Sequence, residues 1–184
     1  MTSRLIVDQL EGKPGSGNIV TVPTGHTLYA PGSVIQVVQE INSTERTNTS
    51  HGITNGSWQF TGTTATITPK FATSKILITI NQSFFWQTDG GGSQGCGIRI
   101  YRGGSAITNH AGWSGLYVET GNASNNRVHS YQNYSHLDSP GTTSAVTYNL
   151  YGYFWTSDWT SLRYQYIDGH GDSKSSITLM EIGG

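Results

Sequence analysis

Asp168, His170 and Asp172 alternate near the C-terminus, and an extended backbone would set two carboxylates and one imidazole on a single face. Such a set could ligate a divalent metal. Gly169 and Gly171 between them suit a hairpin tip instead, and short polar residues favour turns through their own hydrogen bonds. The turn is therefore the expectation, with no metal site. Residues 90–95 formally match G-x-G-x-x-G. A dinucleotide site needs a strand before that motif and a helix after it, so that phosphate meets the helix N-terminus. Here Cys96 to Tyr101 reads as a strand, which excludes it. Gly112-Trp113-Ser114-Gly115 approaches a nucleophile elbow without its last glycine or its strand-to-helix setting. No spacing selects a Ser/His/Asp triad or a pair of glycosidase carboxylates from the scattered acids. The sequence thus predicts no catalytic residue, no cofactor and no enzyme.

The chemistry that does stand out is aromatic. Trp86, Trp113, Tyr117, Tyr131, Tyr134, Trp155 and Trp159 sit among Gly, Ser, Asn, Asp and His. Flat apolar rings beside short polar groups suit sugar faces, where C–H groups stack on the ring and hydroxyls find hydrogen bonds. The same rings also suit a β core or a subunit interface. The candidate ligand-binding residues are Trp86, Trp113, Tyr117, Trp155 and Trp159. Phe84 and Phe154 are weaker candidates.

These rings must be carried on strands, because no window shows sustained helical periodicity. Along residues 75–86, Ile76, Ile78, Ile80, Phe84 and Trp86 share one face, interrupted only by Gln82. Val146, Tyr148, Leu150 and Phe154 alternate likewise, as do Ile98 with Ile100 and Ile177 with Leu179. Shorter candidates are 34–40, 58–61, 65–68, 128–134 and 162–167. Val, Ile, Thr, Tyr, Phe and Trp dominate these runs. Arg102-Gly103-Gly104-Ser105 reads as a hairpin turn, residues 89–93 as a flexible loop tip and residues 138–141 as a further turn. Eight to ten strands at this spacing suit a sandwich or barrel.

Composition agrees. The 184 residues suit one domain. Charged residues are only 11% of the chain, while glycine occurs 24 times and aromatics reach 11% at a net charge of −1. Disordered chains combine high net charge with few aromatics, so this one is a turn-rich β protein. The scattered Lys and Arg form no basic patch, which argues against nucleic acid. No apolar run reaches the ~20 residues of a membrane span. Asp8 follows only three apolar residues, so the start does not read as a signal peptide and synthesis in a cytoplasm is expected. The sequons, at Asn42 among others, then reflect an Asn/Ser/Thr-rich composition. The lone Cys96 reads as a small buried apolar residue.

Residues 1–32 stand apart as an extended arm before a head at 33–184. Leu5, Ile6 and Val7 make a short apolar strand, and Ile19 to Val22 a second, with Gly and Pro between. Isolated short strands pair with other chains or with the edge of their own domain. Fully extended, the arm reaches at most on the order of 100 Å. It can anchor but cannot form a long shaft.

Several stretches carry a family resemblance. Residues 65–78 (Ala-Thr-Ile-Thr-Pro-Lys-Phe-Ala-Thr-Ser-Lys-Ile-Leu-Ile), 97–105 and 138–148 resemble a recurrent module in virion proteins of marine tailed phages, especially cyanophages. The opening, residues 3–8, and the ending, residues 176–183, are similar too. The strand order further resembles the trimeric jelly rolls of the tumour-necrosis-factor and complement type. The resemblance implies a jelly-roll-like β-sandwich head, self-association as a homotrimer and a place on the virion after assembly in a host cytoplasm. It implies a tail-fibre-type appendage for adsorption to a host surface glycan, with Leu5, Ile6 and Val7 anchoring the arm to other virion proteins. The alternative is a capsid decoration or head-fibre protein.

Overall fold

The structure, a computed structural model, describes residues 23–24, 30–108, 115–121, 125–156, 159–167 and 173–184. Leu5, Ile6, Val7, Trp113, Asp168, His170 and Asp172 lie outside the described residues, as do the strands expected near the N-terminus.

The described chain is an all-β sandwich of two antiparallel sheets. Its strands are β1 (Val34–Asn42), β2 (Arg46–Thr47), β3 (Trp58–Ile67), β4 (Lys75–Thr88), β5 (Gly92–Arg102), β6 (Ser105–Ala106), β7 (Leu116–Thr120), β8 (Asn126–Asp138), β9 (Val146–Thr156), β10 (Trp159–Tyr164) and β11 (Ser175–Ile182). One helical turn, α1 (Asn48–His51), follows β2 and is capped by the Thr47 hydroxyl, which accepts from the Ser50 amide at 3.0 Å. The long strands run β1-β11-β4-β8 in the first sheet and β3-β9-β5-β7 in the second. That is the jelly-roll order, in which the chain crosses repeatedly between facing sheets.

The alternation seen in the sequence sets which side chains meet. Ile76, Ile78, Ile80, Phe84 and Trp86 from β4 face Tyr148, Leu150 and Phe154 from β9, with Ile98, Ile100, Ile177 and Leu179 completing the core. Phe84, Phe154 and Tyr164 pack edge-on and stacked, at ring-centroid distances of 5.1 to 5.5 Å. Gly152 leaves room for the Tyr164 ring: a Cβ there would lie 2.6 Å from Tyr164 Cε1. Gln82 stays on the core face because its amide is satisfied, accepting from Thr63 Oγ1 at 3.0 Å and donating to the Ser83 carbonyl at 2.9 Å. Cys96 is fully buried and unpaired, and burial pushes its thiol well above the ordinary range.

Turn chemistry also follows the sequence in most places. Gly103 and Gly104 both have positive φ, at 55° and 85°, and Arg102 pairs with Ser105 across them. This is the two-residue hairpin geometry that favours paired glycines. The two runs expected at 58–61 and 65–68 are one strand, β3, with a register shift between Phe60 and Thr64 where Gly62 adopts φ +89°. Residues 89–91 are a short crossing from the first sheet to the second. The hairpin expected around residues 168–172 is corrected. β10 and β11 lie end to end along the same edge of β4, both antiparallel to it, so they do not pair with each other. The chain leaves β10 at Gln165, which takes φ +50° and places its side-chain amide 2.9 Å from Ser175 Oγ.

The outer face of the first sheet is mostly polar, with Gln39, Thr178, Thr79 and Ser135 in one row. The neighbouring row is apolar: Val37, Met180, Leu77 and Leu137 lie side by side across four strands. Val37 is 56% exposed and Leu137 50%.

Candidate binding face

The second sheet places its aromatic residues outward. In β9 the buried residues are Tyr148, Leu150 and Phe154, so Tyr151, Tyr153 and Trp155 point the other way. Cross-strand pairing then assembles neighbours on that face. Trp58 of β3 lies opposite Tyr153, with ring centroids 5.2 Å apart, and Phe60 lies opposite Tyr151 at 5.8 Å. Tyr101 of β5 reaches the same Tyr151 ring at 4.1 Å. Tyr117 of β7 stacks on Trp155 at 6.0 Å, with an interplanar angle of 28°. The result is an aromatic belt across four strands, made of three groups of touching rings set along one face of β9.

Two features give the belt its relief and its polarity. Gly95 and Gly97 of β5 lie in register with Trp155 and Tyr153, and supply no side chains of their own. At Gly95 this is compulsory, because a Cβ would strike the Leu116 carbonyl of the neighbouring strand. The large rings therefore flank and overhang a low floor. Arg99, also on this face, lays its guanidinium over the Trp58 ring at 4.1 Å, and its Nε is buried without a hydrogen-bond partner among the described residues. At the Tyr117 end, the phenol shares its one proton between Ser93 Oγ at 3.0 Å and Glu119 Oε1 at 3.3 Å. Flat apolar faces bordered by hydroxyls, a carboxylate and a guanidinium can stack a planar or ring-shaped ligand and hydrogen-bond its rim.

Of the ring residues singled out in the sequence, the structure brings Tyr117 and Trp155 together on this belt. Trp86 is not available to a ligand. It is fully buried in the core, and its indole N–H donates to Gln94 Oε1 at 2.6 Å, with the Gln94 amide in turn donating to Thr88 Oγ1 at 2.9 Å. It sits on the same face of β4 as Phe84, so the strand that buries one buries both. Trp159 is half-buried in β10 of the other sheet and packs against the core beside Thr88. Sequence reasoning missed Trp58, Phe60, Arg99, Tyr101, Tyr151 and Tyr153. The signal was present in β9, where the alternation that locates the buried face also assigns Tyr151, Tyr153 and Trp155 to the opposite one.

No Ser/His/Asp triad assembles among the described residues. His129 Nε2 lies 2.9 Å from Ser173 Oγ and 3.2 Å from Ser83 Oγ, but both serines are buried and no carboxylate among the described residues bonds the imidazole. Asp138 is held by Arg102, whose Nη1 lies 2.8 and 2.7 Å from its two oxygens, and it accepts from the Tyr148 hydroxyl at 2.7 Å. That arrangement clamps the turn after β8. No cluster of His, Cys, Asp and Glu suited to a metal ion occurs among the described residues, and no helix among them is long and apolar enough to cross a membrane.

No family model matches the sequence, and no curated protein matches it. Among solved structures, dimeric latent PorU from Porphyromonas gingivalis is similar over 85% of this chain, at a TM-score of 0.31 and 9% identity. The match spans 14% of the PorU chain.

Proposed function

We propose that this chain is a surface structural protein of a tailed-phage virion, of the tail-fibre type, whose jelly-roll head adsorbs to a host surface glycan through the aromatic face of its second sheet. The observation that carries the binding half of this reading is the belt formed by Trp58, Phe60, Tyr101, Tyr117, Tyr151, Tyr153 and Trp155. These rings point away from the core cluster, which is built from other residues, and sit beside hydroxyls and a guanidinium. The virion half rests on the resemblance carried by residues 65–78, 97–105 and 138–148. In this reading Leu5, Ile6 and Val7 anchor the arm to other virion proteins, and the head acts by binding alone.

The apolar row of Val37, Met180, Leu77 and Leu137 supports self-association, with the homotrimer as the expected assembly. Three copies would bind a glycan-coated surface with avidity, so each site needs only modest affinity. The test is adsorption of the purified protein to host cells and to their isolated surface polysaccharide, with and without Trp155→Ala. Retention that the substitution removes is the expected result. Labelled copies seen on capsid faces of the particle, with no polysaccharide retention, would move the protein to the capsid-decoration role.

A further inference from the structure

A cavity of about 250 Å³ opens at the edge of the belt, lined by Asn42, Thr44, Arg46, Phe60 and Gly62. It lies where β3 bulges. Gly62 is the floor: a Cβ there would come within 2.9 Å of both Arg46 Cδ and Asn42 Nδ2. Phe60 belongs to the cavity and to the belt at once, since its ring also packs on Tyr151 at 5.8 Å.

The cavity is lined by donors without an internal acid to answer them. The Asn42 side-chain oxygen is occupied, accepting from the Thr44 amide at 2.9 Å, which leaves its NH₂ facing Gly62. Two arginines have carboxylates: Arg102 holds Asp138 at 2.7 Å, and Arg163 holds Glu45 at 3.0 Å. Glu45 is adjacent to Arg46 in the chain, yet its Oε1 is taken by Arg163 and by the Ile167 amide at 3.4 Å. Arg46 pairs with no carboxylate among the described residues. Its Nε is buried without a hydrogen-bond partner among the described residues, and its guanidinium rests 5.6 Å from the centroid of the Phe60 ring. A guanidinium partly withdrawn from water and lacking a counter-charge gains from an anion of matching planar shape, which a carboxylate supplies.

We infer that the ligand of this face is an acidic glycan, with a uronic-acid carboxylate seated against Arg46 and Asn42 while the adjoining sugar rings lie on Phe60 and the belt beyond it. This rests on the reading of the aromatic face as a glycan platform and deepens it. Arg99, held over Trp58, places a second cation along the same path.

Oligogalacturonate and its fully methyl-esterified form present the same rings with and without charge. Titration calorimetry with the full-length protein should show the acid bound about tenfold or more tightly than the ester, the size expected of a charge-assisted hydrogen-bonded pair. Arg46→Gln should bring that ratio close to one, and Arg46→Lys, which keeps the charge but loses the planar fork, should fall between. The thermal midpoint of each variant checks its fold. If Arg46→Gln does not fold, the acid-to-ester ratio of the unaltered protein decides alone. Equal binding of acid and ester, or a preference that survives Arg46→Gln, overturns the inference. Equal binding that Trp155→Ala weakens would leave the platform standing and the acidic ligand refuted. Binding of neither form, with host polysaccharide also not retained, would refute the platform and this inference together.

Discussion

Strand β9 carries aromatic residues on both of its faces, and the two sets have opposite fates. Tyr148 and Phe154 are fully buried, whereas Tyr151, Tyr153 and Trp155 face outward and touch rings on neighbouring strands. Residue type does not separate the two sets; position does. A strand offers each side chain one face or the other, so a single register decides which rings build the core and which remain for a partner. The inner rings find close-packed neighbours from the facing sheet. The outer rings find each other, two guanidinium groups and a glycine floor, and stay half-buried or, at Tyr117, exposed.

The largest effect that would break this comparison is at Phe154. Its ring meets Phe84, Trp86 and Tyr164 at centroid distances between 5.1 and 6.2 Å. Phe154→Ala should cost about 3–5 kcal/mol, the usual range for truncating a buried aromatic. Urea unfolding followed by fluorescence would measure it. A loss below about 1 kcal/mol would mean that the inner set is not the core.

Gly152 should come next. It occupies a core-face position with no side chain, because the Tyr164 ring fills the space. Gly152→Ala forces a methyl against a fully buried ring and should destabilise by about 1–3 kcal/mol, the range for overpacking. Thermal unfolding of the variant checks this. If the variant were as stable as the parent, Tyr164 would have room to move, and the closeness of the two sheets at this point would be looser than the geometry states.

Alternation in the sequence makes the core legible. Ile76, Ile78, Ile80, Phe84 and Trp86 share one face in sequence and in the fold, and strand spacing with turn chemistry points to the sandwich. What alternation could not supply was which strands neighbour one another. The belt exists because Trp58 and Phe60 of β3, Tyr101 of β5 and Tyr117 of β7 are brought to β9 by pairings far apart in sequence. Polar neighbours in the chain suggest a ligand role for Trp86, but its face on β4 puts it in the core. The collinear β10 and β11 were hidden for a related reason. Two adjacent strands joined by a glycine-rich segment look like a hairpin unless the strand that both pair with is known. The cavity at Arg46 depends on a bulge in β3, which the sequence shows only as a glycine between two strand runs, and on a salt bridge to Glu45, which has no sequence signature.

Inward-facing charge extends the comparison to pH. Glu181 is fully buried, and burial alone would raise its pKa. Hydrogen bonds outweigh that cost: Gln36 Nε2 donates at 2.6 Å, the Lys70 amide at 2.7 Å and the Phe71 amide at 3.3 Å, and together they hold the carboxyl below its usual range. Because the folded-state pKa lies below the unfolded one, the stabilisation is complete above the unfolded-state pKa and is lost as pH falls through the folded one. The thermal midpoint of the protein should therefore drop between about pH 5 and pH 3. In Glu181→Gln that share of the drop should be missing, with a lower midpoint at pH 7. Identical pH profiles for the two proteins would show that Glu181 is not the group responsible.

The smallest effect on stability should come from the outer set, and there it is diagnostic. Tyr117 is 48% exposed, stacks on Trp155 and ties its hydroxyl to Ser93 and Glu119. Removing a half-exposed ring takes away one stacking contact and some exposed hydrogen bonds, and leaves no cavity inside the sandwich. Tyr117→Ala should cost less than about 1 kcal/mol in unfolding experiments. Its effect on retention by host polysaccharide should be many times larger in relative terms, because each ring on a stacking platform contributes directly to the ligand it covers. A protein whose outer rings served only the fold would show the reverse: a clear loss of stability at Tyr117 with binding unmoved. The ratio of these two responses at one residue, set against the purely structural response at Phe154, separates a face built for a partner from one that merely finishes a sheet.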